Sequence, residues 1–123
     1  MVAVSITAQA ATDAGLNYTN QAAASGGDAF LNDGKTVLLF VNTNVSSRTL
    51  TVTRQNKNPS VQGFNPITLT DLTVTIPGSG TNGGLFAVGP FAQAEYNDSS
   101  GLVQLAYSAV TNLVVSAISL PRV

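Results

Sequence analysis

Histidine and cysteine are both absent from this chain of 123 residues. Without cysteine there is no disulfide, no zinc-thiolate centre and no thiol nucleophile. Without histidine the commonest general base and transition-metal ligand is missing, and every Ser-His or Cys-His catalytic arrangement goes with it. Charge is scarce too. Asp, Glu, Lys and Arg make up 9% of the residues, for a net charge of -1, against about a quarter of an average soluble domain. The five basic residues, Lys35, Arg48, Arg54, Lys57 and Arg122, do not make a phosphate-neutralising stripe, so no nucleic acid is expected as a partner. Arg48, Arg54 and Lys57 lie close in sequence and read as a solvated strand end. The longest run of large apolar residues is Val37 to Val41, well short of the roughly 20 needed to span a bilayer, so no membrane is expected either. The opening MVAVSITAQ has neither the basic start nor the apolar core of a secretory signal, and synthesis in the cytoplasm of the producing cell is the expectation.

What the chain has in place of charge is Thr, Ser, Asn and Gln on alternating strands. KTVLLFVN, TNVSS and RTLTVTR, Lys35 to Arg54, read as two strands around a polar turn, a β-hairpin at the centre of an all-β domain. In the first arm Val37, Leu39 and Val41 face one way and Leu38 and Phe40 the other, as in a strand covered on both sides. In the second, Leu50 and Val52 form an apolar face and Thr49, Thr51 and Thr53 an outer face that is wet but uncharged. LTDLTVTI, Leu69 to Ile76, repeats this: Leu72, Val74 and Ile76 face in, Thr73 and Thr75 out. Leu85 to Val88, Leu102 to Tyr107 and Asn112 to Leu120 supply further strands, the last two as a closing pair. Turns at Asn32 to Gly34, Pro77 to Gly84 and Asn97 to Gly101 separate the runs. The spacing gives about seven to nine short antiparallel strands in a single β-sandwich, residues 29–123.

Residues 1–28 read differently. Val2, Val4 and Ile6 alternate with small polar residues, but from Gln9 onward the pattern dissolves, and AAASGG at Ala22 to Gly27 is linker-like. The segment is expected to be an extended N-terminal arm with one or two short strands, which completes its own sheet or reaches a neighbour. Deleting it is expected to leave a folded domain.

No constellation supports catalysis. Glu95 and Asp98 lie three residues apart across a turn, with nothing to fix the separation an acid and base pair requires. Asn32-Asp33 and Asn97-Asp98 lack the alternating ligands and closing Glu of a calcium loop and read as turn residues. The glycines of GSGTNGG precede no Lys-Ser/Thr and no helix pattern, so they cradle no phosphate. No enzyme activity, cofactor or metal is expected. Aromatic residues carry the partner-binding expectation. Phe86 and Tyr107 fall at core positions by alternation, whereas Phe64, in the loop from Gln55 to Pro66, and Phe91, Tyr96 and Tyr18 lie at loop or bend positions and are the expected interface anchors. A neutral hydroxyl-rich and amide-rich face costs less to desolvate than a charged one, which suits packing against other proteins.

GPFAQAEYNDSSGLVQLAYS, Gly89 to Ser108, together with TVLLFVNTNVSSRTLTVT and LTVTIPGSG, resembles small virion proteins of tailed bacteriophages: the all-β decoration or cement proteins, or minor head components, that accompany the major capsid protein. The resemblance covers Phe30 to Leu120. It implies copies on the capsid exterior, bridging capsomers and contacting the major capsid protein and neighbouring copies of the same chain. A head-tail or tail structural component is the alternative within that class. A carbohydrate-binding or adhesion domain, with Phe64, Phe91 and Tyr96 as a stacking surface, is the alternative outside it.

Overall fold

The computed structural model describes residues 3–56 and 68–120. Ten strands form two packed sheets, an all-β sandwich: β1 (Val4–Ile6), β2 (Ala8–Ala10), β3 (Gln21–Ala22), β4 (Asp28–Leu31), β5 (Thr36–Asn42), β6 (Arg48–Val52), β7 (Leu72–Ile76), β8 (Leu85–Val88), β9 (Leu102–Tyr107) and β10 (Leu113–Ser119). A 3₁₀ turn, Asn82–Gly84, precedes β8, and a single helical turn, α1 (Gln93–Tyr96), precedes β9. Sheet A has the order β1-β4-β9-β6-β7. Sheet B has the order β2-β10-β5-β8, with β3 also on β10.

The expected hairpin from Lys35 to Arg54 is not one. β5 lies in sheet B and β6 in sheet A, so the turn between them arches over the core. β6 obeys the alternation read from sequence, with Leu50 and Val52 inward, each at most 1% exposed. β5, expected to be covered on both sides, turns Leu38 and Phe40 into the core and leaves Val37, Leu39 and Val41 half-buried on the outer face of its sheet. A five-residue polar turn fits either connection, and alternation alone cannot tell two strands side by side from two strands face to face. The expected closing pair divides in the same way, β9 in sheet A and β10 in sheet B. Every connection between described strands except β2 to β3 and β6 to β7 changes sheet.

The arch is held by Asn42, which is fully buried. Its Nδ2 donates to the Ser46 carbonyl (2.9 Å) and the Pro77 carbonyl (3.1 Å), and its Oδ1 accepts from the Asn44 amide (3.1 Å). Gly84, at φ 74°, rests directly on this residue, and a Cβ there would overlap the Asn42 carbonyl oxygen. Glycine is therefore required at the entry to β8.

The segment read as a separate arm is woven into both sheets. β1 runs parallel to β4 (Val4 opposite Asp28, Ile6 opposite Phe30), and β2 runs parallel to β10 (Ala8 opposite Ala117, Ala10 opposite Ser119). These two pairings also depart from the expected all-antiparallel arrangement. β3 then pairs antiparallel with β10. Ile6, 5% exposed, and Ala23, 7% exposed, belong to the core. β4 itself begins at Asp28, so a boundary between residues 28 and 29 divides a strand rather than two units.

Candidate interaction surfaces

Four aromatic residues were singled out by position, and the structure separates them. Phe91 and Tyr96 are 3% and 7% exposed and belong to the core. Phe91 packs between Phe30 (ring centroids 6.0 Å) and Tyr96 (5.5 Å, edge-on). α1 is one turn long, too short to show a helical period in sequence, and it turns the bend back so that both rings join the core beside Phe30. Arg54 closes over the Tyr96 ring at 5.0 Å while its Nη1 pairs with Glu95 Oε2. Phe64 lies outside the described residues. A stacking surface of Phe64, Phe91 and Tyr96 therefore loses two of its three rings to the interior. Tyr18, 42% exposed, is the one of the four that stands at the described surface.

Several of the charged side chains are occupied with local structure. Arg48, expected at a solvated strand end, is 8% exposed because it shares the inward parity of Leu50 and Val52. Its Nη2 donates to the Thr111 carbonyl at 3.1 Å. Arg54 Nε donates to the Thr70 carbonyl, and the Gln55 and Asn56 amides donate to the Glu95 carbonyl. Asp98 accepts from the Ser100 and Leu102 amides and from Gln104 Nε2, and these bonds, the Leu102 amide first, hold its carboxyl below the ordinary range. Asp33 accepts from Ser119 Oγ, the Lys35 amide and Thr36 Oγ1, and is lowered chiefly by the Ser119 bond. Both aspartates thus act as turn acceptors. Among the described residues no three His, Cys, Asp or Glu side chains gather in a way that could hold a metal ion, and no helix is long and apolar enough to cross a membrane.

A cleft of about 860 Å³ opens where the link between β1 and β2 passes the turn after β4. It is lined by Asn32, Asp33, Gln93 and Asn97 among others, and those groups satisfy one another. Asn32 Nδ2 donates to the Phe91 carbonyl (3.0 Å) and Asn97 Oδ1 (2.8 Å), Asn32 Oδ1 accepts from the Gly34 amide, and Gln93 Nε2 donates to the Asn32 carbonyl. Such a network fastens α1 to the β4 turn and leaves few donors aimed at a ligand.

Two broad faces remain. On the outside of sheet A, Thr49 lies opposite Thr75 and Thr51 opposite Thr73, a neutral hydroxyl face as the alternation indicates. On the outside of sheet B, Leu39 lies opposite Ala87 and Val41 opposite both Leu85 and Val114. The 11–20 segment crosses part of this second face. Ser116 Oγ donates to the Thr19 carbonyl and to Asn20 Oδ1, and Gln9 exchanges bonds with the Thr19 backbone at 2.9 Å. Tyr18 is thereby placed at the rim of an apolar cleft of about 360 Å³ shared with Leu39, Val41, Leu85, Phe86 and Ala87. Leu85, at the start of β8, is 61% exposed. Its exposure follows from β8 being the last strand of its sheet, which no local pattern reveals. Comparisons of the chain with protein-family models, with curated proteins and with solved structures return no match.

Proposed function

We propose that this chain is a non-enzymatic virion structural protein, a decoration protein that lies on the outside of a bacteriophage head and binds its major capsid protein. The observation that carries this reading is the pair of uncharged sheet faces, Thr49, Thr51, Thr73 and Thr75 on one side and Leu39, Val41, Leu85 and Ala87 on the other. Neutral hydroxyl and apolar surface is cheap to desolvate against another protein, and neither face carries a charge that would hold water. The scarcity of charge over the whole chain and the resemblance of its strand and turn sequences to small head proteins support the same reading. Repetition on a lattice multiplies modest contacts, so each interface can be small, and binding to the closed shell alone would stabilise it by mass action.

Co-expression with the bacteriophage major capsid protein that this reading requires in the same genome, followed by gradient sedimentation, tests it. The chain should travel with assembled shells, and a chain that stays at the top of the gradient overturns it. A second expectation concerns salt. Contacts without ion pairs are little screened, so occupancy should change by less than about threefold between about 0.05 and 0.5 M NaCl. Loss of occupancy over that range would mean that charge, not neutral surface, holds the protein in place.

A further inference from the structure

Sheet B ends on β8, whose outer edge has no strand beside it among the described residues. Exposed edges are normally blunted by Lys, Pro or an inward charge, because an unpaired row of amides and carbonyls templates another strand. Leu85-Phe86-Ala87-Val88 contains none of these. The other edges differ. Sheet A ends on β7, flanked by Asp71, and on the three-residue β1, while the far edge of sheet B is shared by the two short strands β2 and β3.

We propose that the β8 edge is a self-association site, at which two copies of this chain pair antiparallel about a twofold axis and join their B sheets into one. The proposal deepens the decoration reading by naming how one copy meets the next. Three observations select a second copy as the occupant. The edge offers main-chain hydrogen bonds, which only another strand can match. The face around it, Tyr18, Leu39, Val41, Leu85 and Ala87, is free of charge, so a twofold axis brings no like charges together. Finally, its side chains are self-complementary in one register.

That register follows from parity. Directly opposed residues of an antiparallel pair lie on the same face, so a twofold must pass through a residue position rather than between two. Leu85 and Ala87 face outward, and Phe86 and Val88 lie opposite Phe40 and Leu38 on the inner face. An axis at Phe86 sets Leu85 of each copy opposite Ala87 of the other. The most exposed large side chain of the strand then meets the smallest, beside the cleft that Tyr18 and Leu39 line. An axis at Ala87 instead leaves Leu85 facing the Gly89-Pro90 bend. Four residues span only about 13 Å of edge, so the seating of Leu85 must complete the contact.

Sedimentation equilibrium of the full chain in the absence of shells reads the association directly. The 12.6 kDa chain should sediment at twice that mass, and Leu85→Glu should weaken the dimer by about 100-fold or more, since each introduced carboxylate is driven into an apolar contact. Because the chain has no cysteine, crosslinking is clean. The double variant Leu85→Cys/Ala87→Cys should form a covalent dimer on oxidation, and neither single variant should. A wild-type chain that stays monomeric at about 1 mM, a closed trimer, or covalent dimers of Ala87→Cys alone would each overturn the pairing. Shell sedimentation of the wild-type chain separates the two readings: a chain that is monomeric in buffer yet travels with shells loses the pairing alone, and a dimer that ignores shells removes the decoration role alone.

Discussion

Deleting residues 1–28 should abolish the folded state, with loss of the cooperative thermal transition and of the near-ultraviolet tyrosine signal. Four losses add up. Ile6 leaves the core, worth about 1.5 to 3 kcal/mol for a side chain of that size, and Ala23 leaves with it. The parallel ladders on β4 and β10 disappear, which turns two interior strands into open edges. The deletion also removes Asp28, the first residue of β4 and the acceptor for Tyr107 Oη at 2.7 Å. Against a total stability of about 5 to 15 kcal/mol for a domain, the combined loss leaves little or nothing. A truncated chain that melts cooperatively near the wild-type temperature would show that the first strands are an appendage after all. Failure of the truncated chain to occupy shells says nothing about where shells bind, so substitutions on the exposed Thr face of sheet A, such as Thr73→Glu, are the proper probes of contact.

The sequence expectation for that deletion was the opposite, and the reason lies in the length of the elements. β6 and β7 are five residues long, enough for apolar and polar residues to alternate visibly, and the core positions Leu50, Val52 and Ile76 can be picked out one by one, whereas β5 is apolar on both faces and its sequence does not say which face is the core. β1, β2 and β3 have three, three and two residues. Strands that short carry almost no period, and their partners lie tens of residues away in β4 and β10, so pairing depends on a tertiary arrangement that no window of sequence contains. Sheet membership was hidden for the same reason. Parity states which side chains turn inward and is silent about which sheet they turn inward from, which is how an arch between sheets reads as a hairpin. Arg48 is legible from the sequence, since it shares the parity of Leu50 and Val52. The exposed aromatics were not: Phe91 and Tyr96 are buried by the fold-back of α1, while Tyr18 is held at the surface through the bonds of Gln9 and Ser116 to Thr19 and Asn20.

Removing one hydroxyl, Tyr107→Phe, should cost about 2 to 4 kcal/mol at pH 7, measured by denaturant unfolding. Asp28 has no exposed surface, and its Oδ2 accepts from Tyr107 Oη at 2.7 Å and from the Ala24 amide at 3.3 Å, while Oδ1 has no protein partner among the described residues. Taking away the shorter bond leaves a buried carboxylate held by one long contact, whereas the ring stays in place, edge-on to Phe40 at 6.1 Å across the core. The pH dependence distinguishes this from simple loss of packing. Burial, with the bond to Asp28 and its charge in support, pushes the Tyr107 phenol far above its ordinary value of 10. A group whose folded pKa is raised stabilises the protein fully below its unfolded pKa and loses that contribution as pH climbs above it. Wild-type stability should therefore decline from about pH 10 upward, at up to about 1.4 kcal/mol per pH unit from this phenol. The Phe variant lacks that component, and its deficit should narrow between pH 10 and 11 by about the same amount. Adding Asp28→Asn to Tyr107→Phe should recover part of the loss, because a neutral amide is cheaper to leave underbonded than a carboxylate. A Tyr107→Phe chain within about 0.5 kcal/mol of wild type, or a deficit that stays constant through pH 11, would show that the pair does not secure the first strands to the body of the sandwich.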